Sequence, residues 1–288
     1  MLAEADLFLN VSGSALMREE YLRCRNKVLI DTDPGLNQLH NFPRWDANPH
    51  WMDSHGFRAH DRFFTYATLI GTPECELPEL GLHWRPTRPP VVLDLWRSRP
   101  PGERWTTVMT WRNFPKLIEH HGRRYGGKEL EFERIEALPG RTDAALELAV
   151  GGAEPPCNRW RSLGWSVIDS HCVSATLDDY RAYIERSRAE ISVAKNTYVA
   201  TRSGWFSCRT VCYLAAGLPA VVQDTGYSCT LPCGEGLIAF SSLEEAAAGV
   251  QRVEHDYARH QRAARALAET HFDSDRVLAE LLEDAGVG

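Results

Sequence analysis

Three cations, Lys195, Arg202 and Arg209, stand close together in the stretch "KNTYVATRSGWFSCRTVCYLAAGLPAVVQDTG". Ser207 is placed to cap a helix whose apolar face is Val211, Leu214 and Ala215, and Gly217 and Pro219 end that helix. After the β-branched run "AVVQD", Thr225 and Gly226 make a short turn with a hydroxyl and backbone N–H groups to offer. Helix starts carry unpaired N–H groups and a partial positive charge. Cations and the hydroxyls of Ser207, Thr210 and Thr225 gathered there suit an anion such as a diphosphate, each charge-assisted hydrogen bond contributing roughly 1.5–3 kcal/mol. Arg112, directly after "VMTW", is a fourth cation at an expected strand end. Tyr198, Trp205 and Phe206 flank these loops as pocket walls or packing residues.

A second kind of chemistry needs a carboxylate. Asp31 and Asp33 follow the strand-like run "KVLI" and are the candidates for a general base; Asp33-Pro34-Gly35 also reads as a plain turn. His55 and His60 are weaker candidates. The histidines at 50, 55 and 60 are interrupted by Pro49 and Gly56, so they share no helical face. Cys208 with Cys212, and Cys229 with Cys233, lack a second pair at zinc-site spacing, so no metal site is expected.

The elements that must position these residues alternate between strand-like runs and helical patterns, the mark of a parallel α/β architecture. Strands are expected at 6–11, 27–32 and 61–67 and a helix at 14–24. Five prolines between 82 and 105 read as a linker with one short edge strand, which places a domain boundary near residue 96. Residues 97–288 then supply about six β/α units, with strands at 105–111, 145–150, 165–169, 190–194, 220–224 and 237–240. A helix is expected around "GKELEFERIEAL", and a long helical tail is opened by Ser241 with Glu244 or Ser242 with Glu245 as a capping box. Residues 1–96 have only three or four strands and no glycine-rich first turn, so they read as a partial domain that a partner chain could complete.

Bulk properties narrow the class. A net charge of −7 argues against a dedicated nucleic-acid partner, so an anionic ligand must be held by local cations. No run of eighteen apolar residues occurs, the start lacks the pattern of a secretory signal, and eight scattered cysteines fit reduced thiols; a cytoplasmic protein without a transmembrane segment is expected.

The run "CRTVCYLAAGLPAVVQDTGYSCTLPCGEGLIAFSSLEEAAAGV", followed by "YARHQRAARALAETHFDSDRVLAELL", resembles the donor-binding half of GT-B glycosyltransferases of the family 1/family 4 type. "IDTDPG" and "PTRPPVVLDLW" further resemble an uncharacterised bacterial branch with a longer amino-terminal domain. The resemblance implies a GT-B-like fold, with a complete C-terminal Rossmann-like domain and a partial N-terminal one on the acceptor side. It also implies transfer of a sugar from a nucleotide-diphosphate donor to an unknown acceptor, without a cofactor or bound metal. Arg112, Lys195, Arg202, Ser207, Arg209, Thr210, Thr225 and Gly226 would hold the donor, and Asp31 or Asp33 would serve catalysis. Where that family carries glutamates around the helix, this chain reads Ser203 to Ser207 and Tyr213. Two other readings remain: a non-catalytic module that binds nucleotide or a partner, and an epimerase of the same fold.

Overall fold

The computed structural model describes residues 4–47, 56–97, 99–112 and 117–287. β1 (Phe8–Val11), β2 (Lys27–Asp31), β3 (Arg62–Thr65) and β4 (Trp84–Pro86) form a parallel sheet in that spatial order. Short helices α1 (Glu19–Leu22) and α2 (Phe42–Ala47) lie in its connections. The helix expected over 14–24 forms only at Glu19–Leu22. The side chain of Asn10 explains the shortfall, since it accepts from the N–H of Ala15 and donates to that residue's carbonyl, tying down backbone that a helix would need.

The second sheet begins with β5 (Arg104–Thr110), followed by a hairpin of β6 (Ile118–His120) and β7 (Arg123–Tyr125) and by α3 (Glu129–Phe132). It continues through β8 (Ala145–Gly151), α4 (Cys157–Ser162), β9 (Ser166–Asp169), α5 (His171–Ser174), α6 (Leu177–Glu185), β10 (Ala189–Ser192), α7 (Asn196–Ala200), α8 (Cys208–Ala215), β11 (Ala220–Gln223) and β12 (Leu237–Phe240). The six long strands run parallel in the order β12-β11-β10-β5-β8-β9, a doubly wound arrangement with the order reversing beside β10 and β5. β10 and β11 are buried at every position, which is why they read as unbroken runs rather than alternating ones. The hairpin has no counterpart in the sequence reading, and the helix around 127–138 shrinks to α3, with a 3-10 turn at Leu138–Arg141.

Three helices close the chain, α9 (Leu243–His255), α10 (Tyr257–His271) and α11 (Ser274–Asp284). Ser242 caps α9 by accepting from the N–H of Glu245, and the Glu245 carboxylate accepts from the N–H of Ser241. α11 returns to the first sheet, where Leu281 and Ala285 pack with Val28, Ile30, Phe64 and Tyr66. The two crossings between the sheets lie side by side: the N–H of Val91 donates to Phe272 (2.8 Å) and that of Ser274 to Val91 (2.9 Å). Among the described residues no helix is long and apolar enough to cross a membrane.

Candidate active site

The carboxyl ends of β10, β11 and β2 meet in one crevice. Lys195 precedes α7, and its Nζ donates to Asp33 Oδ2 at 2.5 Å, while the hydroxyl of Tyr198 donates to Asp33 Oδ1 at 2.5 Å. Burial first, then the charge of Asp33, push the Tyr198 phenol well above its usual pKa, so it stays protonated and keeps donating. Trp205 stacks on Tyr198 with centroids 4.2 Å apart and donates its indole N–H to the carbonyl of Thr32. These aromatics are packing walls between the two sheets, and Phe206 is core against Tyr227 and Phe272.

Arg209 sits in the first turn of α8, where Ser207 caps by accepting from its N–H. Its Nε donates to Glu190 Oε1 at 2.7 Å and its Nη1 to the carbonyl of Val108 at 2.8 Å. Burial opposes the guanidinium charge, but the fully buried Glu190 outweighs that and raises its pKa. The other oxygen of Glu190 and the hydroxyl of Thr210 are buried without a hydrogen-bond partner.

A third cation, absent from the sequence reading, completes the group. Lys128 follows Gly126 and Gly127 between β7 and α3, and among the described residues its ammonium has no hydrogen-bond or ion-pair partner. Burial, then the charges of Arg209 and Lys195, hold its pKa well below the ordinary lysine range, with Glu190 only partly opposing. Asn196 fixes the loop that carries it. Its side chain accepts from Gly126 (3.1 Å) and donates to Glu131 (2.7 Å), and its N–H donates to the carbonyl of Gly127 (3.0 Å). Glu131 in turn accepts from Gln223 at 2.6 Å, and Gln223 accepts from the N–H of Ala194. The buried Asn196–Glu131–Gln223 chain thus locks the ends of β10 and β11 to the Lys128 loop. A side chain at Gly126 would press on Leu130 and Leu117. The one cue in the sequence was Gly-Gly-Lys, two small residues that let the backbone approach closely.

Other expected residues are placed differently. Thr225 lines the cavity with Ser207, Arg209 and Thr210, but its hydroxyl donates to the carbonyl of Trp205 (2.6 Å) and the N–H of Gly226 goes to Asp224 (2.8 Å). Both donors expected of that turn are therefore consumed inside it. Arg202 adopts a left-handed backbone (φ 47°) and turns to Cys229 Sγ, and Arg112 is exposed beyond β5.

Asp31 and Asp33 separate by environment. Asp31 is fully buried and accepts from Asn37 (2.6 Å), Gln38 (2.7 Å) and Thr65 (3.0 Å). Burial raises its pKa despite those bonds. Asp33, two residues on, is a third exposed at the mouth of the crevice. His60 is buried between Phe57 and Asn10, where desolvation lowers its pKa; positions 50 and 55 lie outside the described residues. The cavity beside Arg209, Ser207, Thr210 and Thr225 is only about 20 Å³, room for about one water, and neither Lys128 nor Lys195 lines it. At Lys195 the crevice is closed by the contact with Asp33.

Residues 123–283, more than half of the chain, match the model of the glycosyl transferase-like family. No curated protein matches by sequence. Among solved structures, the chain is similar to HepE of Anabaena in complex with UDP and glucose, with a TM-score of 0.61 at 12% identity, covering 99% of this chain and 78% of that one. It is similar to an alpha-glucosyltransferase in complex with UDP-glucose and abasic-site DNA, with a TM-score of 0.56 at 13% identity over 99% and 81% of the two chains. TarM is similar at a TM-score of 0.59 and 10% identity, over 97% of this chain and 54% of that one.

Proposed function

The chain is a member of the glycosyl transferase-like family with a GT-B fold, and on that premise we propose that it transfers a sugar from a nucleotide-diphosphate donor to an acceptor held by the first sheet. The observation that carries this reading is the cluster of Lys128, Lys195 and Arg209, in which Lys128 makes no ion pair among the described residues and Glu190 only partly offsets its charge. A half-buried ammonium beside two other cations is costly unless an anion completes it. A diphosphate supplies that anion. Ser207 and Thr210, at the start of α8, offer it hydroxyls and N–H groups. Arg112, Arg202, Thr225 and Gly226 shape the surrounding loops in this reading rather than touch the phosphates. HepE and the alpha-glucosyltransferase carry UDP in their structures, which makes UDP the first donor nucleotide to test.

Transfer needs the crevice to open, since a nucleotide requires several hundred Å³ or more. In the closed state Asp33 occupies Lys195. A bound diphosphate takes over Lys195 and leaves the Asp33 carboxylate facing the acceptor. The acceptor oxygen then bonds to the anomeric carbon as the bond to the diphosphate breaks, the hydroxyl proton passes to Asp33, and the cations hold the charge that leaves. Asp31 acts through position alone, fixing the turn that carries Asp33. No metal or cofactor enters this scheme. The outer edge of β1, with exposed Leu9 and Val11, is where a partner chain would extend the acceptor side, and a cytoplasmic location fits the reduced thiols.

The test is release of nucleoside diphosphate from a panel of uridine, guanosine, thymidine and adenosine diphosphate sugars, with and without candidate acceptors. Turnover of one donor supports the proposal. Binding without any turnover favours the nucleotide-binding module, and absence of both rejects a donor site.

A further inference from the structure

A cavity of about 460 Å³, far larger than the closed crevice, lies on the other side of the Gly204 and Thr230 contacts, against the two crossings between the sheets. Arg88 and Thr87, just past β4, form one wall, and His271 and Arg276, around the junction of α10 and α11, form the other. The hydroxyls of Thr68, Thr87, Thr230 and Thr270 surround it, and Phe64, Val277 and Leu281 make an apolar floor.

Two arginines, Arg88 and Arg276, and two carboxylates, Glu280 and Asp284, line it. Glu280 is paired with Arg276 (3.1 Å) and Asp284 with Arg85 (3.4 Å), so each acid has its own partner. Arg88 makes no ion pair among the described residues. Its guanidinium donates to the carbonyl of Thr230 (3.1 Å) and to Nδ1 of His271 (3.2 Å), and burial lowers its pKa, with the charge of Glu280 opposing and that of Arg276 adding to it. Accepting from Arg88 at Nδ1 places the His271 proton on Nε2 when the ring is neutral, and burial with the charges of Arg88 and Arg276 favours that neutral form. The wall therefore presents a half-buried guanidinium that makes no ion pair among the described residues, a neutral imidazole and the hydroxyls of Thr87 and Thr270, with Thr68 and Thr230 able to accept, in a volume typical of small-ligand sites.

We propose that this cavity is a second ligand site, distinct from the donor crevice, that takes a phosphate monoester of a small polyol. The phosphate sits against Arg88 and the polyol hydroxyls meet the threonines. Because Val91 and Phe272 to Ser274 pair immediately beside it, an occupant bridges both crossings and restrains the opening of the two sheets.

Glucose 6-phosphate, glucose and inorganic phosphate are the probes, applied to the full chain in thermal unfolding and calorimetric titration. Glucose 6-phosphate should raise the unfolding midpoint and bind saturably, with glucose far weaker. Arg88→Gln should weaken it at least about tenfold, as loss of a charge-assisted contact does, and Lys128→Gln should leave it unchanged. Arg276→Gln, on the exposed face of α11, gives a second reading if Arg88→Gln does not fold, and should weaken binding too. The proposal is overturned if glucose 6-phosphate does not bind. It is equally overturned if binding is lost in Lys128→Gln and kept in both arginine variants, which would place the phosphate in the donor crevice. Neither result bears on whether UDP binds through Lys128, so this site and the donor site stand or fall separately.

Discussion

Lys195 Nζ and Asp33 Oδ2 are 2.5 Å apart although 162 positions separate them in the chain, one at the end of β10 in the second sheet and the other past β2 in the first. The contact joins the cation expected to hold a leaving group to the carboxylate expected to serve the acceptor. With Tyr198 and Trp205 stacked beside it, it closes the crevice over the cation cluster.

Asp33→Asn keeps the side-chain shape but removes the charge that engages Lys195 and that, in the proposed function, receives the proton. UDP binding is expected to hold steady or tighten, while transfer falls by about a hundredfold or more, the usual worth of a positioned base. Calorimetry with UDP and steady-state transfer assays separate the two effects. Weakened UDP binding with normal turnover would contradict this assignment.

Lys128→Ala removes a cation whose charge Arg209 and Lys195 oppose and Glu190 partly offsets. Diphosphate binding should weaken by about tenfold or more, yet the ligand-free chain should unfold at an equal or higher temperature, because an unpartnered buried charge is gone. A residue placed for packing would give the opposite sign in the thermal measurement.

The same lysine sets a pH dependence. Its pKa is lowered in the folded chain, so between that value and the ordinary 10.5 the unfolded chain binds the extra proton and stability rises with pH. A bound diphosphate favours the charged ammonium, so UDP binding takes up a proton and weakens as pH rises through the lowered pKa. Calorimetry in two buffers of different ionisation enthalpy measures that uptake. It should vanish in Lys128→Arg, whose side chain stays charged.

Arg209→Ala is expected to be a poor probe of donor binding. It strands the fully buried Glu190, whose second oxygen already lacks a partner, and should cost about 3–5 kcal/mol of stability by denaturant unfolding. Removing both charges together in Arg209→Met with Glu190→Gln should recover much of that loss.

Much of this site was legible because its parts obey local rules. The buried runs of β10 and β11, the Ser207 cap and the glycine that ends α8 announce strand, loop and helix in order, and that order places Lys195 and Arg209 at strand ends. Lys128 was not legible. It lies 67 positions before Lys195 (195 − 128), after a hairpin whose strands show no signal of their own, and only the Asn196–Glu131–Gln223 network brings it to the crevice. The sequence of the turn at Thr225 offers its donors, and in the fold the Thr225 hydroxyl donates to Trp205 and the Gly226 N–H to Asp224. Asp31 and Asp33 look equivalent in sequence, and three buried donors on one of them set them apart.

The proposed anion site of Lys128, Lys195 and Arg209 is tested most directly by calorimetric titration of the full chain and its Lys128→Ala variant with UDP. Saturable binding by the unmodified chain, weakened at least about tenfold in the variant, is the expected result. Absence of binding to UDP and to the other nucleoside diphosphates, or equal affinity in the two proteins, would contradict it.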